Sequence, residues 1–249
     1  MAGHSKFKNI MHRKGAQDKK RAKVFSRLGR EISVAVKVGG EDIESNIRLR
    51  SAIASAKSLN MPKDNIERAI KKGQGNDPDS NYEEVRYEGY GPDGVAIIVE
   101  ALTNNKNRTA AEIRSTFSKY GGNLGESGSV SFGFERLGNI SINKELVNEE
   151  KLFDFLIENE TEDYEVNEDE YLIYCDQNKL HQLNDKIINA YGQTNFSNLI
   201  WKSKNTININ KETADKLFKL LEILEDNDDV QGVSSNFEVD EAVMSSLTS

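Results

Sequence analysis

The sequence has few of the residues that build covalent or metal-bound sites. Its 249 residues include one cysteine, Cys175, and three histidines, His4, His12 and His181. A single cysteine cannot form an internal disulfide, and it suits a reducing compartment. The histidines are scattered, and no Cys/His pair has the spacing of metal ligands. We therefore predict no metal site, no cofactor and no enzyme activity, because no nucleophile stands with a partner base.

Long apolar runs are also missing. The longest covers residues 95–99, which is far too short to span a bilayer, and no secretory signal pattern is present. The basic, acid-poor N-terminus leaves a mitochondrial transit peptide as an open alternative. We favour a cytoplasmic protein without a membrane partner, because the basic segment continues into what reads as a folded amphipathic helix.

Acidic residues are scarce in the first 30 positions, although the whole chain has a net charge of −8. Ten Lys and Arg stand there beside a single acid, Asp18, so this segment carries +9 and the remaining 219 residues carry −17. Such an asymmetry is typical of a segment that binds nucleic acid or an acidic membrane surface.

Apolar residues recur every three or four positions over residues 17–38, which predicts a helix that Gly39 and Gly40 end. Most of its cations fall on the opposite face, where like charges four positions apart repel one another. An ordinary solvated face is the alternative, but it usually mixes signs. We therefore predict a nucleic-acid-binding surface that relieves the repulsion. Its residues are Lys6, Lys8, His12, Arg13, Lys14, Lys19, Lys20, Lys23, Arg27 and Arg30.

The periodicity of the chain changes twice, which predicts an α+β protein of three domains. Residues 1–79 hold a basic arm and three helices. Residues 138–203 follow the order strand, helix, strand, strand, helix, strand, which is the ferredoxin-like pattern. The strands predicted within residues 204–249 lack partners of their own, so we predict that they complete the sheet begun in residues 80–137. Together these two stretches would form the second domain, and the second and third domains are both predicted to be small α/β sandwiches of the ferredoxin-like type. The third domain would then be an insertion into the second.

A glycine-rich loop follows the helix predicted at 107–120. It lacks the Gly-Lys-Ser/Thr of a P-loop, and no strand precedes it as a dinucleotide-binding fingerprint requires. A helix cap and turn would explain its first glycines, but a functional surface is an equal alternative for the rest. A strand containing Val130, Phe132 and Phe134 is predicted to follow. The candidate functional residues of the loop are Gly122, Asn123, Gly125, Glu126 and Ser127.

Several long motifs stand out in the chain: the opening MAGHSK and residues 12–14, 60–70, 87–92, 107–110 and 121–130. These motifs resemble those of the YebC/PmpR family. The resemblance implies a three-domain α+β protein of the bacterial cytoplasm that binds nucleic acid and has no enzyme activity. Some members are described as DNA-binding transcriptional regulators. Others act on the ribosome and help translation through proline runs, and mitochondrial relatives activate translation of cytochrome c oxidase.

We therefore expect a non-enzymatic regulator of gene expression that binds either DNA or the ribosomal RNA. The alternative is an interaction module whose basic arm binds an acidic protein. We expect a monomer, although no feature of the sequence fixes the oligomeric state.

Overall fold

The computed structural model describes residues 17–75, 81–161 and 163–240 of the chain. Its helices in these ranges are α1 (Gln17–Gly39), α2 (Ile47–Ser58), α3 (Lys63–Gln74), α4 (Lys106–Lys119), α5 (Glu149–Glu158), α6 (Leu180–Tyr191) and α7 (Lys211–Asp226). Its strands are β1 (Glu83–Tyr90), β2 (Ala96–Thr103), β3 (Asn123–Leu124), β4 (Phe134–Asn143), β5 (Asp163–Val166), β6 (Glu170–Asp176), β7 (Phe196–Ser203), β8 (Ile207–Asn208), β9 (Val230–Ser235) and β10 (Phe237–Glu238). The α+β class predicted from the sequence is confirmed.

The helices α1, α2 and α3 pack around one small core. Asn46 caps α2, because its side chain accepts a hydrogen bond of 3.0 Å from the backbone N–H of Leu49. Gly73 lets α3 cross α1 closely, since a Cβ there would lie 2.5 Å from the carbonyl oxygen of Ser33. The buried apolar residues of this core are Ile32, Ala35, Val36, Leu49, Ala52, Ile53, Ala56, Met61, Ile66 and Ala69.

The first sheet has the strand order β3–β1–β2–β9, and each neighbouring pair is antiparallel. The helices α4 and α7 cover one face, where Ile113 and Phe117 of α4 meet Leu217 and Leu221 of α7 in the core. The two short strands β8 and β10 pair in parallel beside this sheet.

The second sheet has the order β5–β6–β4–β7 and is antiparallel throughout. The helices α5 and α6 bury Leu152, Leu156, Leu183 and Ile187 against one of its faces. This order and the βαββαβ sequence of elements are those of a ferredoxin-like fold. The prediction of that pattern for this part of the chain is confirmed.

The chain returns to the first sheet after it completes the second, because β9 pairs with β2. β4 begins at Phe134, before the domain limit predicted at residue 138. The three predicted domains, residues 1–79, 80–137 with 204–249, and 138–203, stay a prediction as far as their limits are concerned.

The strand predicted through Val130, Phe132 and Phe134 is wrong. Residues Ser131–Gly133 form a 3-10 turn, and β4 starts only at Phe134. The buried carboxylate of Glu88 accepts the backbone N–H groups of Val130 and Ser131, both at 2.9 Å, so these donors are unavailable to a strand partner. Val130 and Phe134 turn inward, whereas Phe132 is 75% exposed.

Polar contacts join the three parts of the fold. Arg48 of α2 pairs with Glu84 of β1 at 2.6 Å, and Ser51 Oγ lies 3.0 Å from His181 Nδ1 of α6. The ring of Trp201 on β7 lies 5.0 Å from the guanidinium groups of both Arg86 and Arg136, which belong to β1 and β4. The helical region therefore contacts both sheets.

Candidate nucleic-acid interface

The predicted basic surface falls mostly at the start of the chain. Five of its members lie outside the described residues: Lys6, Lys8, His12, Arg13 and Lys14. The helix α1 includes Lys19 and Lys20, whose side chains also lie outside the description. The first described cation is Arg21, which is exposed, with its guanidinium 5.4 Å from the ring centroid of Phe25. A nucleic-acid role for this part of the surface stays a prediction.

Two further members, Lys23 and Arg27, contact the acidic segment 225–229, which comprises the last two residues of α7 and the turn before β9. Lys23 Nζ lies 2.9 Å from Asp226 Oδ1 and also donates to the carbonyl oxygen of Asp226. Arg27 donates to the carbonyl oxygen of Glu225. Burial lowers the pKa of Arg27, and the acids around it act in the opposite direction. Both cations therefore have intramolecular partners.

Arg30 reaches a buried carboxylate in the same segment. Its Nη1 lies 3.0 Å from Asp229 Oδ1, and the two side chains are only 13% and 6% exposed. The other oxygen, Oδ2, accepts hydrogen bonds from Arg108 at 2.7 Å, Thr109 at 2.6 Å and Thr103 at 3.0 Å. Burial raises the pKa of Asp229, but these donors outweigh it and hold the pKa below its usual value. Asp229 therefore links α1, β2 and α4 through one charge.

These contacts change the interpretation of the basic face of α1. The sequence predicted an external polyanion because no acid stands between Lys19, Lys23 and Arg27, which lie four positions apart. The structure supplies the acids from a segment about 200 residues further along the chain, as the separation of 203 residues between Lys23 and Asp226 illustrates. The repulsion argument therefore does not hold for Lys23, Arg27 and Arg30. Their contact with nucleic acid stays a prediction, and it now requires that a polyanion displace segment 225–229.

Three exposed cations on α3 were missed as candidates. Arg68, Lys71 and Lys72 stand three and four positions apart, so they share one face of the helix. Lys72 Nζ lies 3.2 Å from the hydroxyl of Tyr82. The i, i+3, i+4 spacing was the signal that could have identified this face.

The glycine-rich loop begins as the end of α4 and then joins the first sheet. Gly121 has a φ of +80°, and the N–H of Gly122 donates to the carbonyl oxygen of Phe117 at 2.8 Å, so both glycines end the helix. Asn123 pairs with Tyr90 as the first residue of β3. A Cβ at Gly122 would lie 2.6 Å from the carbonyl oxygen of Tyr90, so the close approach of α4's end to β1 requires glycine.

The remainder of the loop is held by Glu88 while its own side chains face solvent. The N–H of Gly125 donates to the carbonyl oxygen of Glu88 at 2.8 Å. Burial raises the pKa of the Glu88 carboxylate. The backbone N–H groups that donate to it and the charge of Arg86 lower the pKa by more, so the net shift is downward. Glu126 and Ser127 are exposed. The loop is thus a braced, exposed surface, and its functional role stays a prediction.

Other chemistry has little support among the described residues. No group of three or more His, Cys, Asp and Glu there is placed to hold a metal ion. Cys175 is buried in the core of the second sheet. In the same part of the chain, no helix combines the length and apolar character needed to cross a membrane.

These features define an α+β protein in which a basic helical region is fixed to two acidic sheet regions. The TACO1/YebC N-terminal domain model matches residues 5–76, and the model of the TACO1/YebC second and third domain matches residues 82–237. The chain belongs to the TACO1/YebC family.

Two relatives cover nearly the whole chain. A protein of Zymomonas mobilis subsp. mobilis, named a probable transcriptional regulatory protein, is 51% identical over 247 residues, which is 99% of each chain. The crystal structure of a conserved hypothetical protein from Aquifex aeolicus is similar with a TM-score of 0.83 and 46% identity, over 90% of this chain and 93% of that one. The chain is therefore similar to a probable regulator of the YebC type.

Proposed function

We propose that this protein is a non-enzymatic, cytoplasmic regulator of gene expression that binds nucleic acid through the beginning of its chain. One observation carries the proposal. Residues 1–21 contain seven Lys and Arg and one acid, and segment 225–229 is already engaged by Lys23, Arg27 and Arg30. A polyanion is the partner that such a concentration of positive charge attracts.

Ribosomal RNA is the target that the chain favours. A basic arm with few base-reading side chains suits recognition of phosphates and shape. The exposed face of Arg68, Lys71 and Lys72 adds cations on a rigid helix, at a distance along the chain from the arm. In this proposal, the arm and α3 contact RNA phosphates, and the braced loop from Asn123 to Ser127 contacts a second element of the ribosome.

DNA is the second candidate, and the name of the Zymomonas relative favours it. A regulator of transcription would use the same phosphate contacts on a duplex. An acidic protein partner of the arm is the third possibility. The RNA and DNA candidates differ in the probe that binds, so one titration series can separate these two.

The experiment measures binding of the full chain to a labelled ribosomal RNA fragment and to a labelled DNA duplex over a range of salt concentrations. We expect the logarithm of affinity to fall linearly with the logarithm of salt, with a slope of about 4–8 in magnitude. Reversing Lys19, Lys20 and Arg21 to Glu should lower both the affinity and the slope.

The matched control reverses three exposed lysines of α7, Lys211, Lys216 and Lys219, which changes the net charge by the same amount. This control should leave the slope nearly unchanged. A slope near zero for both probes would exclude a polyanion partner. Equal losses in the two triple variants would show that only net charge matters and that the start of the chain is not the binding site.

A further inference from the structure

An aromatic pair on the outer surface of the second sheet region separates two shallow hollows. The rings of Phe153 on α5 and Tyr164 on β5 have centroids 6.2 Å apart and planes at 54°. One hollow, of about 250 Å³, lies between this pair, Ile157 and Thr161. The other, of about 360 Å³, lies between the pair and the first turn of α5.

The centre of this surface is apolar and open to solvent. Phe153 is 47% exposed and Ile157 is 61% exposed, whereas Leu152 and Leu156 of the same helix are buried in the core. The helix α5 therefore presents apolar side chains on two faces. On the outer face Phe153 contacts the ring of Tyr164, but Phe153 and Ile157 stay largely exposed. Neighbouring exposed apolar side chains with a polar rim are typical of a surface that binds another molecule.

The rim of both hollows is acidic. Glu149 and Glu150 line one hollow, and Glu160 and Asp163 line the other. Lys179 pairs with Glu160 at 2.9 Å and Lys202 pairs with Asp163 at 3.0 Å, so the net negative charge is concentrated beside the first turn of α5. Tyr164 donates to Glu149 Oε1 at 3.2 Å, which fixes this carboxylate beside the aromatic pair. Over residues 138–203 the chain has 14 acids and five lysines. The surrounding field is therefore negative, in contrast to the positive field at the start of the chain.

The negative charge of the rim determines which class of partner can bind there. Nucleic acid and anionic lipid would be repelled by Glu149 and Glu150 and by the excess of acids over lysines in residues 138–203. A second copy that docked through the same surface would place like charges against each other. Lysine and arginine side chains can contact carboxylates at their ends and aromatic faces along their stems.

The geometry points to a docking surface for a basic segment of another protein, in which apolar side chains enter the two hollows and cations contact the acidic rim. The segment would run across the Phe153–Tyr164 pair. This partner differs in charge and in location from the proposed nucleic-acid target, so either interaction can fail without the other.

The test uses the full chain and a short synthetic peptide in which Lys and Leu alternate around a central Phe. Binding is followed by fluorescence anisotropy. We expect saturable binding that is lost when the peptide's Lys are replaced by Glu, or when its Leu and Phe are replaced by Ser. Ile157→Asp should weaken binding about tenfold or more, as loss of an interface anchor does.

Val38→Asp is the matched control, because Val38 is also an exposed apolar helix residue, at 76% exposure. Glu150→Lys should likewise weaken binding, and Glu222→Lys on the exposed face of α7 should not. Circular dichroism should show that all four variants fold. The proposal is overturned if the wild type does not bind the peptide. It is also overturned if each variant loses the same fraction of its peptide affinity as its control does.

Two further outcomes would reassign the surface. If reversing Lys6 and Lys8 to Glu makes the full chain bind the peptide at least about tenfold more tightly, the chain's own basic arm is the occupant. If the wild type self-associates with concentration and Ile157→Asp abolishes it, the occupant is a second copy. Either result contradicts a separate protein partner.

Discussion

Replacing Asp229 with alanine removes the charge that links α1 to β2 and α4. The variant leaves Arg30 with the carbonyl oxygens of Asp228 and Leu102, at 2.7 and 2.9 Å, but without a counter-ion for its buried guanidinium. Arg108 is 47% exposed and can recover hydration. Removing one partner of a buried ion pair costs about 3–5 kcal/mol, and because one of the two arginines can rehydrate we expect about 3 kcal/mol.

Urea unfolding followed by circular dichroism measures this loss as a change in the free energy of unfolding. The matched control is Asp226→Ala in the same segment, since Asp226 is 73% exposed and pairs with Lys23. An exposed pair contributes about 0–1 kcal/mol. A cost below about 1 kcal/mol for Asp229→Ala, or equal costs in the two variants, would refute the role of Asp229 as a buried link.

Three other predictions concern the loop, the interface with α6 and the helical core. Glu88→Gln should speed hydrogen exchange of the backbone amides of Val130 and Ser131, which donate to the Glu88 carboxylate, and unchanged protection would show that this carboxylate does not hold the turn. Burial, and then Arg50, lowers the pKa of His181. The unfolded chain therefore binds a proton at His181 more readily than the folded chain does. The free energy of unfolding should fall as the pH drops below about 6.5, and His181→Gln should lack this fall. Ile32→Ala should lower the free energy of unfolding by about 2–5 kcal/mol, whereas Val38→Ala should change it by less than about 0.5 kcal/mol. Similar losses for the two variants in urea unfolding would contradict the assignment of Ile32 to the core.

The helices and the second sheet could be predicted because their signals are local. The helix predicted at 17–38 is Gln17–Gly39 in the structure, and that predicted at 107–120 is Lys106–Lys119. Apolar periodicity and helix caps depend on residues within a few positions of one another. The order of elements then restricted the topology to the ferredoxin-like arrangement.

The partners of the basic face could not be predicted in this way. Lys23, Arg27 and Arg30 contact acidic residues at the end of α7 and in the turn after it. Nothing in the local pattern of either segment indicates the other. Long-range pairing of charges is set by tertiary packing, which hydrophobic periodicity does not encode.

The turn at Ser131–Gly133 was missed for a related reason. The alternation of Val130, Phe132 and Phe134 has the period of a strand, but Glu88 accepts two backbone N–H groups in the middle of the run. A buried carboxylate from another strand therefore decided the local structure. The motifs at 87–92 and 107–110 contain Glu88, Arg108 and Thr109, whose side chains make hydrogen bonds within the fold. These residues of the two motifs therefore stabilise the structure.

Crosslinking in living cells tests the nucleic-acid function most directly. The full chain would be crosslinked by ultraviolet light, purified under denaturing conditions and assayed for bound RNA and DNA, beside the variant in which Lys19, Lys20 and Arg21 are Glu. We predict that ribosomal RNA is recovered with the wild type and is strongly reduced with the variant. Recovery of chromosomal DNA instead would favour transcription, and recovery of neither nucleic acid from the wild type would contradict the proposed function.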